Sequence, residues 1–278
     1  MNKTSYIFLA VGNNISIHNQ ARLAIFSLFA YLPHGSEIFI ITDFPEYYIN
    51  FKDSINVIHV TAEQLDDWKG EGNYFFRIKI EAILHVASKI TGNLVYLDAD
   101  TVCMKNLLDF EQRLNQGDFF MHAKEFPLCS GPTKTTRQMW RVGKGKSFGS
   151  LQIDENSIMW NSGVIAIPAG FSDYLQIALE SCDAMCQSKM RPYFVEQLVV
   201  GLALTKSKKL YEAKEWFLHY WGNKNEWHEI IIEPFLLETQ HLSLAETVLL
   251  FKEIKYFPSA IRSKKPDLLK KIKRLFHA

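Results

Sequence analysis

The chain has 278 residues, 47% of them hydrophobic and 22% charged, which is the composition of an ordinary globular protein with one large or two small domains. The formal net charge of +1 hides an asymmetry, because residues 259–278 carry seven lysines or arginines against one aspartate. The basic character therefore belongs to the tail, which argues against a nucleic-acid-binding body. No apolar run reaches the 18 residues of a membrane-spanning helix, and the N-terminal apolar segment has no cleavage-like site, so we expect a cytoplasmic protein.

The first hundred residues alternate between two kinds of predicted element. Short apolar runs predict strands over residues 6–11, 37–42, 55–60 and 94–98, and apolar residues at helical spacing predict helices over 19–31 and 73–88. Strands that alternate with helices favour a parallel sheet with helices on its faces. We therefore expect an α/β fold.

The second half of the chain is predicted to continue the sheet and then to become helical. Strands are expected over 119–123, 157–167 and 213–218, and helices over 171–188, 193–205 and 227–238. The stretch 124–155 is rich in Gly, Lys, Ser and Thr, and it is too polar for a core and too long for an ordinary connection. We interpret it as a lid or an acceptor-binding loop.

The C-terminal tail has the pattern of a basic amphipathic helix. After Pro266, apolar side chains recur at helical spacing and basic residues fill the opposite face; the apolar set is Leu268, Leu269, Ile272, Leu275 and Phe276. Such a helix docks on an anionic membrane surface, or it packs its apolar face on the body and leaves the lysines in water. Because a single aspartate accompanies the seven basic residues of the tail, most of them have no acidic partner there, and we favour peripheral contact with the inner face of the membrane through residues 259–278.

Two carboxylates, Asp98 and Asp100, stand where the apolar run at residues 94–97 ends. Ligands bind at the rim of open α/β sheets, and charged carboxylates there need a cation. Oxygen ligands suit a hard divalent metal such as Mn²⁺ or Mg²⁺, which commonly holds a phosphate group. Aspartate is also frequent at strand ends and in turns, so a capping role is the alternative.

Three polar positions stand out in the apolar segments around this pair. Arg77 is a forked cation on the predicted helix 73–88, able to grip a phosphate or to form a surface salt bridge. Asn161 interrupts an apolar strand, which indicates a ligand contact or a β-bulge. Gln197 follows Glu196 at the start of an apolar helix, where helix-start chemistry explains the glutamate better than the glutamine.

The segment from His219 to Lys224 combines a potential metal ligand, a glycine and a cation. His219 lies among aromatic residues, so a buried core histidine is the alternative to a ligand. Gly222 would allow close approach of the backbone to a bound group.

Taken in this order and spacing, these segments resemble retaining glycosyltransferases of the GT-A fold, a Rossmann-like nucleotide-diphospho-sugar transferase fold with a mixed central sheet. The family in question contains glycogenin and bacterial lipo-oligosaccharide galactosyltransferases, and the resemblance covers about residues 5–225. It is closest from Phe76-Arg77-Ile78-Lys79 to Val95-Tyr96-Leu97-Asp98-Ala99-Asp100. The expected organisation is a catalytic domain over 1–225 and a helical C-terminal extension over 226–278.

The resemblance also implies a role for each of the residues singled out. It implies that the metal, Mn²⁺ or Mg²⁺, is bound by Asp98, Asp100 and His219, and that the donor is contacted by Arg77, Ala99, Asn161, Gly222 and Lys224. Gln197 would sit beside the anomeric carbon, with Asn161 on the donor sugar. The chain departs from the family at two places: Lys224 follows Gly222 by two residues instead of three, and Asn13 stands where the family offers an acidic residue and a tyrosine to uracil.

The implied activity is metal-dependent transfer of a hexose, with retention, from a nucleotide-diphosphate sugar to a saccharide or glycolipid acceptor. UDP is the expected nucleotide, and the basic tail with a polar lid suggests a lipid-linked or lipopolysaccharide-type acceptor. A retaining course needs no strong protein base, and the sequence offers no clear one. The donor sugar, the nucleotide base, the acceptor and the linkage are left open.

Three other activities are compatible with parts of the pattern. An inverting glycosyltransferase on the same fold would need a carboxylate base such as Asp154 or Glu196. A phosphatase of the haloacid-dehalogenase type would use Asp98 as its nucleophile, although such enzymes usually open with this motif and need a second acidic cluster. A sugar-nucleotide or membrane-surface binding module would bind without turnover.

Overall fold

The computed structural model describes residues 2–188 and 192–261 of the chain. The helix predicted after Pro266 lies outside the described residues. Among the described helices, none combines the length and the apolar run that a membrane crossing requires.

The described residues form a central sheet of seven strands and two small two-stranded sheets. In chain order the strands are β1 (Thr4–Leu9), β2 (Glu37–Thr42), β3 (Asn56–His59), β4 (Asn93–Leu97), β5 (Thr101–Cys103), β6 (Phe119–Pro127), β7 (Ser147–Phe148), β8 (Leu151–Gln152), β9 (Ile158–Ile167), β10 (Leu210–Glu212) and β11 (Phe217–His219). The central order is β10-β6-β9-β4-β1-β2-β3, in which β9 alone runs antiparallel to its neighbours. The predicted α/β class with a mixed central sheet is confirmed.

Helices cover both faces of this sheet. They are α1 (Ile15–Tyr31), α2 (Ala62–Trp68), α3 (Arg77–Ala87), α4 (Leu108–Asn115), α5 (Lys134–Gly143), α6 (Asp173–Cys186), α7 (Val195–Thr205), α8 (Lys224–Trp227), α9 (Glu233–Glu238) and α10 (Leu244–Lys252). A π-helical turn, His228–Ile232, joins α8 to α9. Short 3-10 turns lie at Pro45–Phe51, Leu128–Ser130 and Pro192–Phe194.

The two faces of the sheet carry separate hydrophobic clusters, because side chains of a strand point alternately to opposite sides. In β1, Tyr6 and Phe8 pack with α1, α4 and the C-terminal helices, whereas Ile7 packs with α3, α6 and α7. The strands in the middle of the sheet are buried on both faces, which is why they appear in the sequence as continuous apolar runs.

The helices after residue 225 pack against α1. The ring of Trp227 stacks on Tyr220 at 4.1 Å between centroids, and Phe251 and Phe235 join the cluster that contains Phe26 of α1. The helical character predicted for this extension is confirmed up to residue 252, while a domain boundary at residue 225 stays a prediction.

The predicted polar loop over 124–155 is largely structured. Strand β6 continues to Pro127, and α5 follows, opened by a capping box in which Thr133 and Thr136 exchange hydrogen bonds. A β7–β8 hairpin completes the segment. The expected absence of regular structure in this stretch was wrong, because the polar surface of α5 hides the few side chains that it buries, such as Thr136 and Met139. Its role as a lid or an acceptor-binding segment stays a prediction.

Several predicted bounds also shifted. Helix α1 begins at Ile15 because the side chain of Asn14 accepts a hydrogen bond from the amide of Ser16 and caps the helix. Helix α3 begins only at Arg77, after a series of turns. The strand predicted over 213–218 is replaced by the two short strands β10 and β11.

Candidate metal centre and adjoining cavities

Asp98, Asp100 and His219 meet at the carboxyl end of β4, and we call these three residues the metal centre. Asp98 leaves the sheet through a turn in which its backbone carbonyl accepts from the amide of Thr101. Strand β5 then pairs antiparallel with β11 and sets Thr101 opposite His219. The amide of Tyr220 donates to the carbonyl of Asp100 at 3.0 Å, which fixes the histidine segment beside the acidic one.

The ligating atoms of the metal centre face one another. His219 Nε2 lies 3.2 Å from Asp100 Oδ1 and 3.7 Å from Asp98 Oδ2. One potential ligand atom from each residue lies within 4.8 Å of the others. This Asp-Asp-His group could therefore hold a metal ion.

The orientation of His219 is set by Asn161 in β9. Asn161 Oδ1 accepts from the amide of Gly163 at 3.0 Å, so the 2.8 Å contact between this oxygen and His219 Nδ1 requires the imidazole to donate. In the neutral ring the lone pair then sits on Nε2. A Cβ at residue 163 would overlap the imidazole, so only glycine allows the ring to lie there.

These residues fit a divalent cation. A lone pair of His219 aimed at two carboxylates is an arrangement that a shared cation stabilises, and a hydrogen bond behind the ligating histidine is the usual support for such a site. Burial disfavours ionisation of Asp100, but a charged form of His219 and the ammonium group of Lys224 outweigh it and hold the pKa of this carboxyl well below its usual range, and a bound cation would take over the part of the charged ring. Carboxylate oxygens with one imidazole nitrogen suit Mn²⁺ or Mg²⁺, and the nitrogen favours Mn²⁺.

Two lysines contact the carboxylates of the metal centre. Lys79 Nζ is buried, 3.0 Å from Asp98 Oδ1, and it also reaches the hydroxyl and carbonyl oxygens of Ser162 at 3.2 and 3.3 Å. Lys224 Nζ lies 2.8 Å from Asp100 Oδ2 and is half exposed. The hydroxyl of Tyr96 donates to Asp98 at 2.9 Å.

Glu196 extends this network into α7. Its carboxylate is buried, accepts a hydrogen bond from Ser162 Oγ at 3.1 Å and lies 3.6 Å from Lys79 Nζ. Burial raises the pKa of Glu196 to about 6, although Lys79 opposes the shift. The carboxylate proposed as a base for an inverting reaction is therefore engaged inside the protein.

The raised pKa of Glu196 predicts a stability change with pH. The folded state binds this proton more tightly than the unfolded state, so the free energy of unfolding should fall as pH rises through the interval from the ordinary pKa of 4.5 to about 6. Relative to Glu196→Gln, the wild type should lose about 2 kcal/mol between pH 4 and pH 7. Urea unfolding of both proteins across this range measures the difference, and a pH-independent difference would contradict the assignment.

A cavity of about 340 Å³ opens beside the metal centre, and we call it the first cavity. The acidic pair, His219 and both lysines lie on its wall, together with Ala99, Tyr96 and Gln20. Its remaining lining is apolar and partly aromatic: Leu9, Val11, Ile17, Phe75, Phe76 and Trp221. The wall of this cavity thus combines charged groups with apolar and aromatic ones.

A second cavity of about 250 Å³ adjoins the first, since Trp221 lines both. Glu125 of β6 stands in its wall and accepts from Gln197 Nε2 at 2.9 Å and from Asn161 Nδ2 at 3.2 Å. The other lining residues are mainly apolar: Phe126, Pro132, Thr133, Thr136, Met159 and Phe194. One carboxylate therefore holds together the two residues, Asn161 and Gln197, that the sequence singled out as catalytic.

The structure does not bring Arg77 to the metal centre. Its guanidinium contacts Asp183 at 2.6 Å, Glu81 at 2.7 Å and the carbonyl oxygen of Trp68. These partners lie in α3 itself, in α6 and at the end of α2. Arg77 therefore connects the three helices and does not face the metal centre. Lys79, two residues later in the same helix, is the cation that contacts the metal centre, through Asp98.

Three of the other predicted residues line one of the two cavities. Lys224 and Ala99 line the first cavity, and Gln197 lines the second. Gly222 follows Trp221 and forms a backbone bridge with Ile261. Asn13 is exposed in the turn after β1, outside the residues that line the first cavity. Asp154, the other candidate base, is exposed in a turn that it stabilises through Asn156 and Ser157, and it lines neither cavity.

Sequence reasoning missed Lys79, Glu125 and Ser162. Lys79 and Ser162 stood inside segments that were noted for Arg77 and Asn161, respectively. Glu125 lay in the stretch interpreted as a lid, and its only signal was an acidic residue near the end of a predicted strand.

Comparisons with known proteins give a distant likeness. No protein-family model and no curated protein matches the chain. Among solved structures the chain is similar to mouse xyloside xylosyltransferase 1 in its apo form, with 10% sequence identity, a TM-score of 0.49, and coverage of 76% of this chain and 84% of that chain. A likeness of this degree supports no statement about activity, which rests on the geometry of the site.

Proposed function

We propose that the protein is a metal-dependent glycosyltransferase of the GT-A type that transfers a hexose from a nucleotide-diphosphate sugar. The observation that carries the proposal is the Asp98, Asp100 and His219 group on the wall of a cavity that also presents Lys79 and Lys224. This arrangement combines a cation site and two positive side chains with a lining that is otherwise apolar and partly aromatic. A diphosphate would match the charged groups, and a flat base or a sugar would match the apolar and aromatic ones.

The proposed chemistry requires stabilisation of a leaving diphosphate. A bound Mn²⁺ or Mg²⁺ would neutralise charge that develops on the leaving oxygens. Lys224, half exposed on the cavity wall, is placed to add a second positive charge. UDP is our proposed nucleotide, on the basis of the sequence resemblance.

The second cavity is the proposed acceptor subsite. Glu125 accepts hydrogen bonds from the side-chain amides of Asn161 and Gln197, which line this cavity, and a donor sugar and an acceptor hydroxyl would meet beside these amides. Trp221 offers an apolar surface to both. Retention is supported by the absence, among residues that line either cavity, of a carboxylate free of protein partners, since Glu125 accepts from two amides and the acids of the metal centre contact lysines.

The experiment that tests this function combines binding and turnover. We expect one of UDP, GDP, dTDP or CMP to raise the melting temperature only when Mn²⁺ or Mg²⁺ is present, because a molecule bound to the folded state alone stabilises it. The matching nucleotide-hexose should then be hydrolysed slowly without an acceptor. The absence of metal-dependent stabilisation by every nucleotide would contradict the proposal.

Replacing Phe194 with alanine tests the acceptor subsite. Because the ring lines the second cavity only, the variant should raise the acceptor KM by about tenfold, as expected for loss of one aromatic contact, and leave donor hydrolysis within about twofold. Phe171→Ala removes a more exposed ring that contacts Phe119 and Tyr174, away from both cavities, and serves as the control. A larger effect on donor hydrolysis than on acceptor KM would place the acceptor elsewhere.

We also propose that the basic tail brings the enzyme to an anionic membrane surface that carries a lipid-linked acceptor. The proposal rests on the sequence pattern of residues 259–278, of which 262–278 lie outside the described residues. Deleting this segment should abolish binding to vesicles that contain an anionic lipid while sparing donor hydrolysis. Vesicle binding that is unchanged by the deletion would contradict the proposal.

A further inference from the structure

Each carboxylate of the metal centre already has a cation of the protein beside it. Lys79 contacts Asp98, and Lys224 contacts Asp100. We propose that Lys224 is an internal counter-cation that a divalent metal displaces from Asp100, so that metal binding releases its ammonium group to the first cavity. The inference rests on the proposed metal centre but needs neither a nucleotide nor a sugar.

The two lysines differ in how firmly they are held. Lys79 is 8% exposed, and its ammonium group contacts Asp98, Glu196 and two oxygen atoms of Ser162. Lys224 is 48% exposed, and among the described residues its ammonium group forms an ion pair with Asp100 alone. Lys79 is therefore a fixed part of the network, whereas Lys224 can leave at the cost of a single contact.

Lys224 and a metal would compete for the same carboxylate. Asp100 Oδ2 lies 2.8 Å from Lys224 Nζ, while its Oδ1 faces His219 Nε2. A divalent ion on Asp100 would repel an ammonium group a few ångströms away, and the repulsion is larger near a buried carboxylate than in open water. The flexible four-carbon stem of lysine allows the charge to move without a change in the backbone.

The cavity offers the displaced ammonium group a new role. Lys224 lines the first cavity together with the metal centre, so an anion bound there would find both positive charges. Metal binding and anion binding should then depend on Lys224 with opposite signs. Without an anion the lysine weakens metal binding, and with the metal in place it strengthens anion binding.

Titration of free Mn²⁺, followed by its electron paramagnetic resonance signal, tests the first half of the inference. Lys224→Met should bind Mn²⁺ about fivefold more tightly than the wild type in the absence of nucleotide, as expected for removal of a competing ion pair. Lys105→Met is the matched control, because Lys105 is 47% exposed and forms a 2.8 Å pair with Glu215 outside the metal centre. At saturating Mn²⁺, Lys224→Met should bind UDP about tenfold more weakly.

A second measurement follows the side chain itself. Acetylation of lysines by a water-soluble reagent, read by mass spectrometry, should show Lys224 becoming more reactive when Mn²⁺ is added and less reactive when UDP follows. Lys105 should not respond. Mn²⁺ affinity that is unchanged or reduced in Lys224→Met, or labelling of Lys224 that does not respond to Mn²⁺, would overturn the inference.

The outcomes separate this inference from the proposed function. If Lys224→Met binds Mn²⁺ more tightly but the wild type transfers no sugar, the counter-cation inference is supported and the proposed transferase function is contradicted. If the wild type transfers sugar but its Mn²⁺ affinity does not depend on Lys224, the function is supported and the inference is contradicted. A second variant, Lys224→Gln, is assayed in parallel, and thermal unfolding scans show whether both variants remain folded.

Discussion

Replacing Asp100 with asparagine should lower the rate of hexose transfer by about a thousandfold or more and should remove the stabilisation that Mn²⁺ gives. The substitution keeps the shape of the side chain but removes the negative charge that faces His219 and Lys224. A catalytic metal supplies several kcal/mol of charge stabilisation, and about 4 kcal/mol corresponds to a thousandfold in rate. The measurements are kcat at saturating donor and the shift in melting temperature with Mn²⁺.

Asp66→Asn is the matched control for this variant. Asp66 pairs with Lys69 on the surface of α2, so its loss should leave both the rate and the metal response unchanged. An Asp100→Asn protein that keeps the Mn²⁺-dependent shift would show that the metal binds elsewhere.

Lys79→Met should lower the free energy of unfolding at pH 7 by about 3–5 kcal/mol, because it leaves the carboxylates of Asp98 and Glu196 without their buried cation. Glu196 is the more affected of the two, since it lies fully inside the protein while Asp98 is one-quarter exposed. For a chain of this size the melting temperature should fall by about 10 °C. Urea unfolding at pH 7 gives the free energy directly.

The pH dependence of this loss distinguishes an electrostatic role from simple packing. Near pH 5, Glu196 carries a proton in the folded variant, so the penalty should be clearly smaller than at pH 7. Adding Glu196→Gln to Lys79→Met should recover part of the lost stability at pH 7. Lys105→Met is the control for removal of a surface lysine, and an equal loss at pH 5 and pH 7 would argue for packing alone.

The sequence could not predict which of the two cations in α3, Arg77 or Lys79, contacts the metal centre. Consecutive residues of an α-helix are rotated by about 100°, so residues two apart point about 200° away from each other. Only one of the two could face Asp98. The deciding partner of Arg77 is Asp183, more than one hundred positions away in α6, and nothing in the local pattern identifies it.

The acidic pair and His219 could be recognised because their signals are local. An apolar run that ends in two aspartates predicted the rim of the sheet, and the order of segments pointed to the histidine. Their contact, however, depends on the pairing of β5 with β11, two strands of three residues each that are more than one hundred positions apart. Strands this short have no periodicity from which pairing could be inferred.

The central position of β9, between β4 and β6, makes one side of the site more firmly held than the other. Asn161 and Gly163 belong to a strand that is bonded to neighbours on both edges, since Asn161 pairs with Ala123 of β6 and Gly163 accepts from the amide of Asp98. Trp221 and Lys224 instead project from a short connection and a single helical turn, anchored by the bridge from Gly222 to Ile261. One wall of the site is therefore held by the sheet, and we expect ligands of different size to be accommodated by movement of the other wall, formed by Trp221 and Lys224.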